Sequence, residues 1–293
     1  MEKLQKKWGT IVLFLLPGLI LYTGWVLFPI VQGVILSTYR WVTISKKVFV
    51  GIENYIDIFN DKYFWISLKN TLWFMLGTGV FQITFGFILG YFLYLQLRAY
   101  RFFKTVYFMP TVLMTVAVGF IWGYIYSPAF GLLKPFMEAI GLGQYYFPPL
   151  ADKRTALFFL IIAQAWHSCG IQIMLFHAGF MNMPEEVIEM ASIDGASGWK
   201  MMYHMIIPLS WGVTKTVIIL QLTGALRVFD LVFIMTGGGP NHATEVLPMY
   251  MFAQAFQKFK IGHGSVVAVV IFVLSMGLTA FLRKVMGSDD LQY

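Results

Sequence analysis

The chain has 293 residues and a net charge of +7, with 58% hydrophobic and only 12% charged residues. Soluble domains carry about 25% charged residues, so this composition excludes a soluble globular protein and indicates an integral membrane protein. The cations lie between apolar stretches and form no basic patch with interleaved aromatics, which excludes nucleic-acid binding. One cysteine, Cys169, excludes both an internal disulfide and a multi-thiolate metal site.

Long apolar runs predict an all-α polytopic membrane protein with about six spans, because a membrane helix needs about 20 apolar residues. We predict one transmembrane domain over 1–293, with spans at 11–37, 71–97, 105–127, 156–180, 206–230 and 263–282. The first run is too long for a signal peptide and has no small-residue cleavage site after it. We therefore expect an uncleaved first span, and a third span kinked at Pro110 and Gly119.

A short basic loop gives the orientation. Arg98, Arg101 and Lys104 lie between the second and third predicted spans. Short loops rich in Lys and Arg stay on the cytoplasmic side. With six spans, both termini are then expected in the cytoplasm.

A polar stripe marks the fourth predicted span. Gln164, Ser168 and Gln172 recur every four residues, with Trp166 and His167 beside them. Such residues either join helices by hydrogen bonds or line a pathway. Amide, hydroxyl and aromatic groups together suit a polyhydroxylated ligand, because amides bond hydroxyls and a ring covers a C–H face.

The fifth predicted span adds Gln221 to this candidate path, and Arg227 and Asp230 follow near its end. The two charged residues are three positions apart. They either pair on one helix face or line a water-filled cavity. Both interpretations are open at this stage.

A polar segment at 181–205 separates the fourth and fifth predicted spans. Pro184 suits the first turn of a helix, and Glu185 and Glu186 follow where carboxylates meet the positive end of the helix dipole. Gly195 permits a sharp turn before a second short helix. The segment is thus predicted to be a helix–turn–helix, either a solvated linker or a docking element.

A sequence pattern in this segment favours docking. Glu189, Ala191, Gly195 and Pro208 match in register the EAA loop of permease subunits of ATP-binding-cassette importers, which the chain resembles. Three apolar exchanges depart from the pattern, at Met190, Met205 and Ile207. The segments Gly51–Tyr55 and Thr236–Pro240 also resemble the sugar-importer branch of this class. By this resemblance, the residues that contact the ATPase are Glu185, Glu186, Glu189, Ala191, Asp194, Gly195 and Pro208.

The resemblance implies a type I importer permease that moves a sugar, oligosaccharide or polyol across the cytoplasmic membrane of a prokaryote by alternating access. Its implied partners are a second homologous permease, two ATPase subunits and an extracellular solute-binding protein. ATP and Mg²⁺ would bind the ATPase subunits, so this chain would hold no cofactor or metal and catalyse no reaction. The alternatives are an ion-coupled secondary transporter and an importer of another solute, such as a glycerol phosphate ester.

Overall fold

The computed structural model describes residues 8–41 and 46–287, so the ends of the predicted domain 1–293 lie outside the described part. Nearly all of it is helical. In chain order the elements are α1 (Trp8–Tyr22), a π-helical turn (Thr23–Leu27), α2 (Phe28–Ser37), β1 (Tyr39–Trp41), β2 (Lys47–Phe49), α3 (Glu53–Asn60), α4 (Lys62–Tyr94), α5 (Tyr100–Val112), α6 (Thr115–Ile125), α7 (Leu133–Ala139), a 3-10 turn (Gly143–Tyr145), α8 (Ala156–Met181), α9 (Glu185–Ile193), α10 (Gly198–Met201), a π-helical turn (Met202–Ile206), α11 (Ile207–Leu209), α12 (Trp211–Ala225), α13 (Asp230–Thr236), α14 (Leu247–Phe252), a π-helical turn (Ala253–Gln257) and α15 (Ile261–Val285).

The described residues contain four helices that are long and apolar enough to cross a membrane, at Ile11–Ser37, Lys62–Tyr94, Ala156–Met181 and Ile261–Val285. Two bent pairs bring the number to six if each pair is one span: α5 with α6, bent by 97°, and α10–α11 with α12, bent by 69°. The all-α membrane fold with about six spans is confirmed. A two-stranded hairpin of β1 and β2 is a small addition to it.

Helix bounds differ from the predicted spans at three places. The fifth predicted span, 206–230, is divided at Ser210 into α11 and α12, and α12 ends at Ala225. The helix of the second predicted span, α4, begins at Lys62 rather than at 71, because the polar residues Ser67, Lys69 and Asn70 are also helical. The region 105–127 is not one kinked helix: Leu113 and Met114 adopt extended backbone angles three residues after Pro110 and separate α5 from α6.

The described residues divide into two compact units, and the first comprises 8–41, 46–62 and 250–272. Here β1 pairs antiparallel with β2 and follows directly on α2. The buried amide of Asn54 donates to the carbonyl oxygens of Ser37 at 2.8 Å and Tyr39 at 3.0 Å. A Cβ at Gly262 would collide with the Tyr39 carbonyl, so the start of α15 packs directly against the hairpin. Within the first unit, the end of the first span therefore lies beside the start of the last span. Because these two ends are on the same side of the membrane, an even number of spans must lie between them.

The second unit comprises 63–249 and 273–287, and it holds most of the apolar core. One cluster joins Phe74 of α4, Leu160 of α8 and Val232 of α13. Helices α4 and α8 approach closely, because a Cβ at Gly86 would lie 2.8 Å from the Cβ of Gln172. This glycine contact sets the distance between the helices that carry most of the polar side chains described next.

Candidate functional site

A polar cavity of about 420 Å³ lies within the second unit. Helices α4, α6, α8 and α12, with the segment that follows α12, supply its wall. Its polar lining residues are Thr78, Gln82, Thr115, Gln164, Ser168, Gln172, Gln221, Arg227 and Asp230. The stripe predicted on the fourth span therefore faces this cavity, together with Gln221 and both charged residues.

A directed chain of hydrogen bonds crosses three helices at the cavity. The Gln172 Nε2 donates to Gln221 Oε1 at 2.9 Å, and Gln221 Nε2 donates to Thr78 Oγ1 at 3.4 Å. The Thr78 hydroxyl itself donates to the Phe74 carbonyl at 2.7 Å. Because that carbonyl only accepts, Thr78 must accept from Gln221, and both amide orientations are fixed.

A second set of bonds ties the stripe to α4. Gln82 Nε2 donates to the backbone carbonyl of Gln164 at 3.2 Å, and Gln164 Nε2 donates to Ser168 Oγ at 2.8 Å. The carbonyl oxygens of the Gln82 and Gln172 side chains are buried, and neither has a partner among the described residues. Buried polar atoms are normally bonded, so these two oxygens are the acceptors that a ligand or water would satisfy.

Thr78 and Gln82 were not among the residues predicted from the sequence. They lie four positions apart on a 33-residue apolar helix, which is the same signal that identified Gln164, Ser168 and Gln172. The four-residue spacing could therefore have been recognised in the second predicted span as well.

The charged residues at the cavity do not share a helix. Arg227 follows the end of α12 at Ala225, and Asp230 begins α13. Among the described residues their charged groups form no ion pair, although both line the cavity. This geometry excludes the interpretation of a pair on one helix face and agrees with the cavity interpretation.

Two predicted path residues face elsewhere. Trp166 lies about 200° around the helix from Gln164, and it lines a separate apolar groove with Phe81 and Cys169. His167 is turned toward the end of α5, where its Nε2 lies 3.1 Å from the Leu113 carbonyl. The position of α5 determines both placements, and sequence spacing carries no information about it.

The segment after α8 forms the predicted helix–turn–helix. Glu185 and Glu186 occupy the first turn of α9, and Gly195 has a φ of +84° in the turn before α10. Ala191 is 8% exposed and packs into a cluster with Phe180 and other buried residues. One side of α9 is therefore attached to the membrane helices.

The other side of the helix–turn–helix segment is exposed. Glu189 and Asp194 are exposed, and so are large apolar side chains: Ile193 is 84% and Trp199 is 74% exposed. Exposed apolar residues beside carboxylates are typical of a protein-docking surface. Pro208 lies in α11, just before the bend that leads into α12.

Comparison with known proteins assigns the chain to a family. The family described as "Binding-protein-dependent transport system inner membrane component" matches residues 82–285. The chain belongs to this family. It is a permease, a multi-pass membrane component of a transporter and not an enzyme.

Relatives and a solved structure agree with the assignment. A probable ABC transporter permease protein of Bacillus subtilis, YurN, is 34% identical over 93% of this chain and 94% of its own length. The multiple sugar-binding transport system permease protein MsmF of Streptococcus mutans is 29% identical over 96% of this chain and 95% of its own. A chain of a bacterial alginate ABC transporter, solved with a periplasmic protein bound to an alginate pentasaccharide, superposes with a TM-score of 0.84 at 17% identity, covering 97% of both chains. The ion-coupled alternative gains no support from these comparisons.

The glycine-rich loop at Thr236–Pro240 forms the turn that ends α13. Helix α13 ends at Thr236, and Gly237 and Gly238 have φ values of +57° and +86°. Asn70 of α4 holds the loop by donating to the carbonyl oxygens of His242 and Glu245, both at 3.0 Å. The loop therefore lies against the first part of the second span.

Proposed function

We propose that the permease moves a sugar, oligosaccharide or related polyol by alternating access, with the polar cavity of the second unit as its substrate path. One observation carries this proposal: amide and hydroxyl side chains from four helices line the cavity in an otherwise apolar bundle. Polar groups at membrane depth mark a path for a polar solute. The name of the similar Streptococcus mutans permease supports sugar as the solute class.

The cavity chemistry suits hydroxyl groups. Gln82 and Gln172 each offer a side-chain oxygen without a partner among the described residues, and a hydroxyl can donate to it. Phe74 and Phe229 also line the cavity and can cover the C–H face of a sugar ring. The proposed path residues are Thr78, Gln82, Gln164, Ser168, Gln172, Gln221, Arg227 and Asp230; Trp166 and His167 are not among them.

The proposed assembly contains a second, homologous permease, two ATPase subunits that bind ATP and Mg²⁺, and an extracellular solute-binding protein. The basic loop at 98–104 supports a cytoplasmic position for both termini and for the segment 181–205. The exposed face of that segment, with Glu185, Glu186 and Glu189, then contacts the ATPase. Closure of the ATPase pair moves α9 as a rigid lever, since Ala191 fixes it to the membrane helices.

Transport by the reconstituted complex tests this function. The permease is co-purified with the products of neighbouring genes and placed in proteoliposomes with labelled maltose, a mixed oligosaccharide pool or glycerol 3-phosphate outside. We expect ATP-dependent uptake of at least one carbohydrate. Uptake driven by a proton or sodium gradient without ATP would contradict the mechanism, and uptake of glycerol 3-phosphate alone would contradict the solute class.

A further inference from the structure

A second polar cavity lies in the first unit, separate from the proposed substrate path. It has a volume of about 320 Å³ and is lined by Arg40, Trp41, Asp57, Lys260, Gly262 and His263. Arg40 and Trp41 come three and four residues after Ser37, the last residue of the first candidate span. Lys260 directly precedes Ile261, where the last span begins. The cavity therefore lies at the depth where two membrane helices meet the polar boundary of the bilayer.

Most charges around this cavity neutralise one another. The Arg40 guanidinium lies 2.7 Å from a Glu53 carboxylate oxygen and 3.8 Å from Asp57 Oδ2. His263 Nε2 lies 3.3 Å from the same Asp57 oxygen. Both carboxylates therefore have a partner within the protein.

Two hydrogen-bond donors at the cavity, in contrast, have no partner among the described residues. The indole N–H of Trp41 is buried and has no acceptor among the described residues. Lys260 is exposed, and its ammonium forms no ion pair with a described carboxylate. A buried N–H without an acceptor is unfavourable, and an ammonium and an indole N–H together match an anionic oxygen acceptor.

Large apolar side chains are exposed on the segments around the cavity. Phe49 of β2 is 66% exposed, Ile52 before α3 is 71% exposed, and Phe259, next to Lys260, is 76% exposed. A polar site whose own segments present bare aromatic and aliphatic side chains is typical of the membrane interface rather than of a water-filled vestibule.

We propose that this cavity binds the phosphate of a phospholipid headgroup, held by Lys260 and the Trp41 indole N–H. The phosphate oxygens supply the missing acceptor, and the acyl chains of the lipid lie against the exposed apolar residues. Asp57 contacts Arg40 and His263 through Oδ2, and its other carboxylate oxygen is an acceptor for a headgroup ammonium. This favours a zwitterionic headgroup, with its ammonium toward Asp57, over an anionic lipid. The proposal does not depend on the transported solute.

Lipid binding to the purified full chain tests the proposal. Native mass spectrometry measures the apparent affinity for phosphatidylethanolamine, with phosphatidylglycerol and inorganic phosphate as competitors. We expect Lys260→Gln to weaken phosphatidylethanolamine binding about tenfold, and Trp41→Phe, which removes only the N–H, about fivefold. Lys260→Arg keeps the charge and should retain binding. The matched controls Lys258→Gln and Trp25→Phe should bind as the unmodified chain does.

Several results would overturn the proposal. One is equal phosphatidylethanolamine affinity in Lys260→Gln and Lys258→Gln. Another is displacement of the lipid by inorganic phosphate at equal concentration, which would identify a free anion as the ligand. A third is a loss of solute-binding-protein capture in Lys260→Gln with unchanged lipid affinity, which would assign the cavity to that partner. If Lys260→Gln does not fold, the comparison of Trp41→Phe with Trp25→Phe decides.

Discussion

The cavity and the α9–α10 segment are both polar parts of an apolar chain, but their polar groups are used differently. In the cavity, Gln172, Gln221 and Thr78 bond to one another across three helices. On the segment, Glu185, Glu186 and Glu189 are exposed and form no ion pair within the described residues. A polar group bonded inside a bundle holds helices and meets a small solute, whereas an exposed carboxylate beside bare apolar side chains is available to another protein. The first region should control affinity, and the second should control coupling.

Reversing one charge on the docking face should have the largest effect. Glu189→Lys places a cation where a partner contact is proposed, at a cost of about 2–5 kcal/mol if that contact is desolvated. We expect loss of transport and of substrate-stimulated ATP hydrolysis, with normal membrane insertion. Glu138→Lys, at an exposed position in α7, serves as the control and should remain active. Full coupled activity in Glu189→Lys would show that the segment is only a linker.

A substitution at the contact between α4 and α8 should alter the cavity, although the substituted residue does not line it. In Gly86→Ala the new methyl would lie 2.8 Å from the Cβ of Gln172, so α4 and α8 must separate. Overpacking of this kind costs about 1–3 kcal/mol. We expect a weaker apparent affinity for the transported sugar, measured as uptake against concentration. Gly18→Ala, with no atom within 4 Å of the new methyl, is the control. Unchanged sugar affinity in Gly86→Ala would show that the distance between α4 and α8 does not affect substrate binding.

A substitution in the turn between α9 and α10 should have an effect of comparable size. Gly195 has a φ of +84°, and a β-branched residue there should cost about 1–3 kcal/mol of backbone strain. Gly195→Val should therefore uncouple ATP hydrolysis from transport. Gly141, with a φ of +77°, lies between α7 and the 3-10 turn, so Gly141→Val carries similar strain at another site. If both variants lose coupling equally, the effect is general destabilisation and not a property of the segment.

Removing one amide from the cavity should have the smallest effect. Gln172→Leu deletes the bond to Gln221 and one proposed ligand acceptor. A neutral hydrogen bond contributes about 1 kcal/mol, so we expect a several-fold loss of sugar affinity with intact assembly. Gln144→Leu, at an exposed position outside the cavity, should change nothing. Reduced assembly and detergent stability with unchanged affinity would instead indicate a structural seam.

The parts that the sequence predicted are those with local signals. Apolar length predicted the spans, and Pro184, Glu185 and Gly195 predicted the helix–turn–helix. Four-residue spacing grouped Gln164, Ser168 and Gln172 on one face. The spacing of Thr78 and Gln82 was equally local and was missed.

What the sequence could not give depends on packing. Trp166 and His167 are next to the stripe in sequence, yet α5 and the apolar groove determine which way they face. The early start of α4 at Lys62 and the 97° bend between α5 and α6 likewise carry no apolar-length signal, because polar residues continue one helix and apolar residues continue through the break of the other. Whether Arg227 and Asp230 share a helix depends on the end of α12 at Ala225, which their sequence spacing does not indicate.

Thiol accessibility along α8 tests the central claim, that the stripe faces a solute path, most directly. With Cys169 replaced by serine, single cysteines are placed at Gln164, Ser168 and Gln172, which line the cavity, and at Ala163 and Ala165, which do not line it and serve as controls. The assembled transporter is treated with a small water-soluble thiol reagent, with and without saturating sugar. We expect reaction at 164, 168 and 172, protection of these positions by the sugar, and little reaction at 163 and 165. Equal inertness at all five positions would contradict the account and move the substrate path out of this chain.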